Sequence, residues 1–203
     1  MSRVVLASGN AGKLRELAAL LAPLHLELIA QGELGIGAAE ETGASFLENA
    51  LLKARHAARA ARLPALADDS GIEVDALGGR PGVFSARYAG ERASDADNLR
   101  RLLKELAGVP EGERSARYQC VIVLVRNAAD AQPLIARGTW EGRIASAPRG
   151  QGGFGYDPVF LPAGERRTAA ELDAAQKNAV SHRAQALRAL VAVLQGPGYI
   201  AAP

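Results

Sequence analysis

The chain has 203 residues and 21.1 kDa, with 24 basic and 22 acidic side chains and a formal net charge of +2. That near balance argues against a dedicated nucleic-acid binder, which clusters a basic surplus, and no apolar run approaches the ~18 residues that span a bilayer. The single cysteine, Cys120, excludes an internal disulfide framework and a cysteine-based zinc site, and the N-terminus lacks a cleavable secretory pattern, so a cytoplasmic protein is expected.

Strand-like and helix-like segments alternate along the chain. Val4-Val5-Leu6-Ala7 is a short apolar run that predicts a buried strand. Beyond Gly9-Asn10-Ala11-Gly12, Leu14, Leu17, Leu20 and Leu21 recur at helical spacing, predicting a helix over Lys13–Ala22. Leu24–Ala30 alternates as a second strand, and the Gly-containing stretch Gln31–Ala44 is loop. Ser45 with Glu48 forms a capping-box pattern that opens a helix running to about Arg62.

Pro64–Ala67 and Ile72–Val74 flank Asp68-Asp69-Ser70-Gly71, a strand–turn–strand pattern. Gly78–Gly90 is loop, and Ser94 with Asp97 can cap a helix to about Leu106. Tyr118–Arg126 contains Val121 to Val125, the best buried strand in the chain, and Leu134–Ala145 reads as one or two more. A last helix is expected from about Ser181 to Leu194, stopped by Gly196 and Pro197. The pattern predicts an α/β fold with a mixed β-sheet flanked by helices, a single domain over residues 1–203 with two lobes facing a cleft.

Five stretches carry chemistry, each with a plainer alternative. Ser8-Gly9-Asn10-Ala11-Gly12-Lys13 lies between strand and helix, where free amides and a lysine suit phosphate. It is not a Walker A loop, and it can equally be an ordinary strand–helix turn. Asp68 and Asp69 suit Mg²⁺, or else cap a turn through their own backbone. If the two lie on a strand, one faces the site and the other supports it. Glu40 or Glu41 could complete such a site, and Lys53 could be an ordinary helical ion-pair partner.

Gly150-Gln151-Gly152-Gly153-Phe154-Gly155-Tyr156-Asp157 matches a dinucleotide fingerprint only formally, because a strand rather than a helix follows. Phe154 and Tyr156 among glycines either stack on a base or anchor the loop. Lys177, Ser181, His182 and Arg183 cluster donors near the start of the last helix. His25 and His56 read as structural, and Cys120 as a small core residue.

The order of these stretches is more specific than any one of them. Together with Gly78-Gly79-x-Pro81-Gly82 and Ser85-Ala86-Arg87-Tyr88, they resemble the inosine/xanthosine triphosphate pyrophosphatase family in its bacterial branch, from Val4 to about Leu194. The resemblance implies an elongated mixed sheet with two lobes around a nucleotide-binding cleft. It also implies a Mg²⁺-dependent homodimer that hydrolyses ITP, dITP and XTP to monophosphate and pyrophosphate. By resemblance, Ser8 to Lys13 hold the triphosphate, Lys53 faces the phosphates, and Ser70 contacts substrate. Asp69 would be general base and metal ligand, with Glu40 as second ligand and Glu41 and Asp68 as neighbouring alternatives. Phe154, Gly155, Tyr156 and Asp157 would hold the base, and Lys177, His182 and Arg183 would read or orient it. The alternatives are a pyrophosphatase for other nucleotides and a non-catalytic nucleotide- or RNA-binding module.

Overall fold

Odd and even residues of the first strand, β1 (Arg3–Leu6), serve different layers. Val4 and Leu6 pack with one set of helices, and Val5 and the following Ala7 with another, as the two-residue repeat of a strand requires. The computed structural model describes residues 3–22 and 26–195. The expected roles of His25, Gly196 and Pro197, and the start of the strand expected from Leu24, lie outside these.

The elements are β1, α1 (Ala11–Leu21), β2 (Glu27–Ala30), α2 (Phe46–Ala61), β3 (Ala65–Val74), α3 (Asp95–Glu105), β4 (Ser115–Val125), β5 (Leu134–Ile144), β6 (Phe160–Pro162), α4 (Ala174–Val180) and α5 (His182–Leu194). The six strands form one mixed sheet in the order β2-β1-β3-β4-β5-β6. β1 runs parallel to β2 and β3, with Val5 opposite Ile29 and Ala65, while β6 returns antiparallel to β5. Among the described residues no helix is long and apolar enough to cross a membrane.

The chain forms two compact units. Of the described residues, the first takes in those up to Asp69, Cys120–Gly138 and those from Arg183 on; the second is Ser70–Gln119 and Thr139–His182. In the first unit, Leu17 and Leu21 of α1 and Leu187 and Leu190 of α5 pack on Leu6, Leu66 and Ile122. On the opposite face, Ala50, Ala54, Ala57 and Ala58 of α2 meet Val5, Ala67, Val121 and Val123. That alanine stripe lets a helix with charged outer positions lie close to the strands. In the second unit, Leu99 and Leu102 of α3 pack with Ile72, Tyr118, Trp140, Tyr156 and Phe160.

The caps follow the sequence signals, with two differences. Ser94 and Asp97 close a reciprocal capping box on α3. Ser45 caps α2, but the Glu48 carboxylate reaches the amide of Ala44 rather than that of Ser45. The last helix, α5, begins at His182 as expected, but a separate short helix, α4, capped by Asp173 and Gln176, precedes it and ends before Ser181. Lys177 therefore sits in the last turn of a separate short helix.

The strand–turn–strand expectation for 64–74 is corrected. β3 runs unbroken through Asp68-Asp69-Ser70-Gly71. The two aspartates stay in the strand because each finds cationic partners on its own face, which removes the need for a turn to expose them.

Candidate active site

In β3 the parity of the core carries through to the aspartates. Leu66 and Asp68 face the α1/α5 side, and Ala67 and Asp69 face α2. Asp68, only 1% exposed, accepts from Arg183 Nη2 at 3.1 Å and pairs with Lys13 Nζ at 3.0 Å. Burial alone would raise its pKa, but Lys13, Arg183 and Lys53 outweigh burial and hold the carboxyl well below the usual range. Arg183, fully buried, also donates to Glu16 of α1, so its guanidinium joins two carboxylates.

Asp69 meets the other helix. Lys53 Nζ donates to Asp69 Oδ1 at 2.7 Å and to Glu41 Oε1 at 3.0 Å. Asn49, wholly buried, donates to Asp69 Oδ2 at 3.3 Å and accepts the amide of Gly43 at 2.8 Å. One asparagine thus ties the Glu41 loop to the Asp69 carboxylate. Here burial wins: it pushes the Asp69 pKa above its ordinary value despite Lys53 and Lys13. Lys53 is pulled down by burial, yet Asp69, Asp68 and Glu41 together raise its pKa.

Glu40 is exposed; the carboxylate brought to Lys53 is its neighbour Glu41. Among the described residues no three His, Cys, Asp or Glu side chains form a ready-made metal cage. Glu41 and Asp69 nevertheless converge on one ammonium, which places two hard oxygen donors around one point. That donor set fits Mg²⁺, which takes one or two carboxylates and fills its remaining positions with water and phosphate oxygens.

The loop before α1 differs from a bare cradle of amides. Asn10 caps the helix by accepting from the amides of Gly12 and Lys13, and its own amide donates to Ser8 Oγ. Gly9, Asn10 and Ala11 are exposed, and Lys13 reaches back to Asp68.

The second unit holds the other cluster. Asp157, 2% exposed, accepts from Lys177 Nζ at 2.6 Å, from the Phe154 amide at 2.9 Å and from Tyr118 Oη at 3.3 Å. Lys177 Nζ lies 4.7 Å from the centre of the half-buried Phe154 ring. His182 stacks on Tyr118 at 4.6 Å and 7°. Gly155 donates its amide to Asp95 at the start of α3, which pins the loop.

Tyr156 answers the choice between stacking and anchoring for one of the two aromatics. It is buried and donates to the carbonyl of Ser85, so it anchors. Ser70 is half-buried on β3. Elsewhere His56 contacts the carbonyl of Gly37 in the loop before α2, and Cys120 is buried.

Sequence reasoning passed over Glu16, Tyr118 and Trp140. Glu16 lies three residues after Lys13 on one helix face, a spacing that could have signalled it. The two aromatics alternate into the core from β4 and β5, and nothing in their local sequence marks them.

Fold and site together define a mixed α/β protein with buried lysine–carboxylate pairs suited to a polyanionic ligand. Residues 4–193 match the model of the Ham1 family, and the chain belongs to that family. It is 56% identical over 195 residues to the dITP/XTP pyrophosphatase of Shigella flexneri, covering 96% of this chain and 99% of that one. It is 61% identical over 193 residues to the dITP/XTP pyrophosphatase of Methylococcus capsulatus, covering 95% and 96%. Among solved structures, a HAM1 protein from Coxiella burnetii superimposes with a TM-score of 0.89 at 52% identity, covering 96% of this chain and 98% of that one. The Ham1 protein of Staphylococcus aureus gives 0.84 at 40% identity, covering 96% and 99%.

Proposed function

We infer that this protein is a nucleoside-triphosphate pyrophosphatase that hydrolyses the deaminated purine nucleotides ITP, dITP and XTP to monophosphate and pyrophosphate. The observation that carries this is identity above 50% over nearly the whole chain to dITP/XTP pyrophosphatases. The lysine–carboxylate pairs supply matching chemistry.

Water attacks the α-phosphorus, the bond to the bridging oxygen breaks, and pyrophosphate leaves. The Asp69 carboxylate takes the proton of the attacking water. Lys53 and Lys13 supply compact positive charge to the phosphate oxygens, and Ser8 to Gly12 supply backbone and hydroxyl donors. Ser70 contacts substrate from β3. Asp68 and Arg183 act behind these groups: Asp68 orients Lys13, and Arg183 with Glu16 holds Asp68.

Glu41 and Asp69 would hold Mg²⁺, which, when bound, supplies charge neutralisation on the phosphate oxygens and orients the water. Phe154 offers a ring face to the base, while Lys177 and His182 offer donors to its 6-oxo group. Adenine carries an amino group at that position, and donors left facing it reject ATP. The enzyme works in the cytoplasm as a homodimer, prevents incorporation of deaminated purines into nucleic acid, and needs no nucleic-acid or membrane partner.

Pyrophosphate release over a panel of triphosphates tests the activity. ITP, dITP and XTP should exceed ATP by about 100-fold or more in kcat/KM. Comparable values on ITP and ATP would exclude the reading. A solution mass near 21.1 kDa would exclude the dimer.

A further inference from the structure

We propose that Tyr118 is a positioning residue that joins Asp157, which holds Phe154 and Lys177, to His182 in one rigid unit and so sets purine selectivity. The inference rests on the base-recognition reading above and deepens it.

Tyr118 projects from β4 into the second unit's core, with 7% of its surface exposed. Its two ends serve two different partners. The phenol donates to Asp157 Oδ1, and the ring lies nearly parallel to the His182 imidazole, 4.6 Å away. Phe160 meets the same ring edge-on at 4.7 Å, and Trp140 lies 6.4 Å from both Tyr118 and His182. The ring is therefore held by its packing rather than by its hydroxyl alone.

Asp157 in turn fixes the Phe154 amide and the Lys177 ammonium. A displacement of Tyr118 would thus reach Phe154 and Lys177 through Asp157, and His182 through the stack. The aromatic body holds the imidazole plane and the hydroxyl holds the carboxylate, so phenylalanine can replace only half of the function. Burial and the neighbouring Asp157 also raise the Tyr118 pKa, which keeps the phenol a donor at any working pH.

Tyr118→Phe and Tyr118→Leu separate the two halves. For Tyr118→Phe, the KM for ITP should rise about 3- to 10-fold with kcat within twofold, and the ITP-to-ATP ratio of kcat/KM should fall by a similar factor. Tyr118→Leu, which also removes the stack, should lose more selectivity. Affinities for IMP and AMP, followed by fluorescence of Trp140, provide a readout independent of hydrolysis, and the IMP preference should fall in the same order. Unchanged KM and IMP preference in Tyr118→Phe would overturn the proposal, as would a parallel loss of kcat on ITP and ATP alike. Wild-type protein that prefers IMP but releases no pyrophosphate from ITP would refute the enzymatic reading and leave the role of Tyr118 to the binding data. Wild-type protein that binds IMP and AMP equally would overturn the proposal itself.

Discussion

Asp68 and Asp69 are neighbours in the chain whose carboxylates lie on opposite faces of β3. Asp68 meets Lys13 and Arg183, and Asp69 meets Lys53 and Asn49. One peptide bond thus separates a carboxylate held in a closed ionic network from one whose burial raises its pKa. The two substitutions to which this leads should not resemble each other.

Asp69→Asn should lower kcat on ITP by about 100-fold or more, because it removes the proton acceptor, while the denaturation midpoint changes little. Near-normal turnover would end the assignment of Asp69.

Asp68→Ala should instead cost about 3–5 kcal/mol of stability, since it takes from Lys13 and buried Arg183 the carboxylate they share and leaves Arg183 with Glu16. The folded pKa of Asp68 lies below its unfolded value of 3.8. Its stabilisation is therefore present above that value and lost as pH falls through the folded one. Urea melts carried from pH 7 down to about pH 2 should show the wild type losing stability around and below pH 3.8, and the variant losing less.

Three of the four lysines, in a chain with 20 arginines, lie at the two clusters: Lys13, Lys53 and Lys177. Lys13 and Lys53 each fit a compact ammonium among carboxylate oxygens, which a planar guanidinium does not reproduce. Lys13→Arg and Lys53→Arg should each lower kcat/KM on ITP about 10- to 100-fold. Lys104→Arg, on the exposed side of α3, should leave it unchanged. Full activity in both site variants would refute the shape argument.

Chelation should remove activity, and added Mg²⁺ should restore it. EDTA is expected to lower pyrophosphate release by about 100-fold or more. Glu41→Gln should raise the Mg²⁺ concentration needed for half-activation more than Glu40→Gln does, because only Glu41 is brought to Lys53 beside Asp69. Equal effects of the two substitutions would argue against Glu41 as the ligand.

Burial, with Asp68 nearby, pushes the Cys120 thiol up to about 12. The reactive thiolate is then only a trace species at pH 8. A disulfide reagent should label the native protein slowly and the guanidinium-unfolded protein at once. Rapid native labelling would contradict the packing of β4.

The alternation of elements, the caps at Ser45 and Ser94, and the buried strand through Val121 to Val125 are local in origin, and they were legible. Helical and strand periodicity and side-chain-to-amide hydrogen bonds need only nearby residues. The motifs holding Lys13, Lys53, Asp69, Asp157 and His182 were legible as well. The start of α5 beside Ser181 was legible too, whereas α4 was not, because the 7 residues from Ala174 to Val180 are too few to display a helical repeat.

By itself the sequence determined which residue types stand where: two adjacent aspartates, four lysines, and aromatics among glycines, in the order that marks a Ham1 family protein. Only the tertiary structure decided what each one meets. A strand's parity sends Asp68 and Asp69 to different helices, and only packing of α1, α2 and α5 on the sheet brings Lys13, Lys53 and Arg183 to them. The same holds for Tyr118, whose phenol and ring find Asp157 and His182 across 39 and 64 residues of chain. Such contacts arise from long-range burial, which no local spacing encodes.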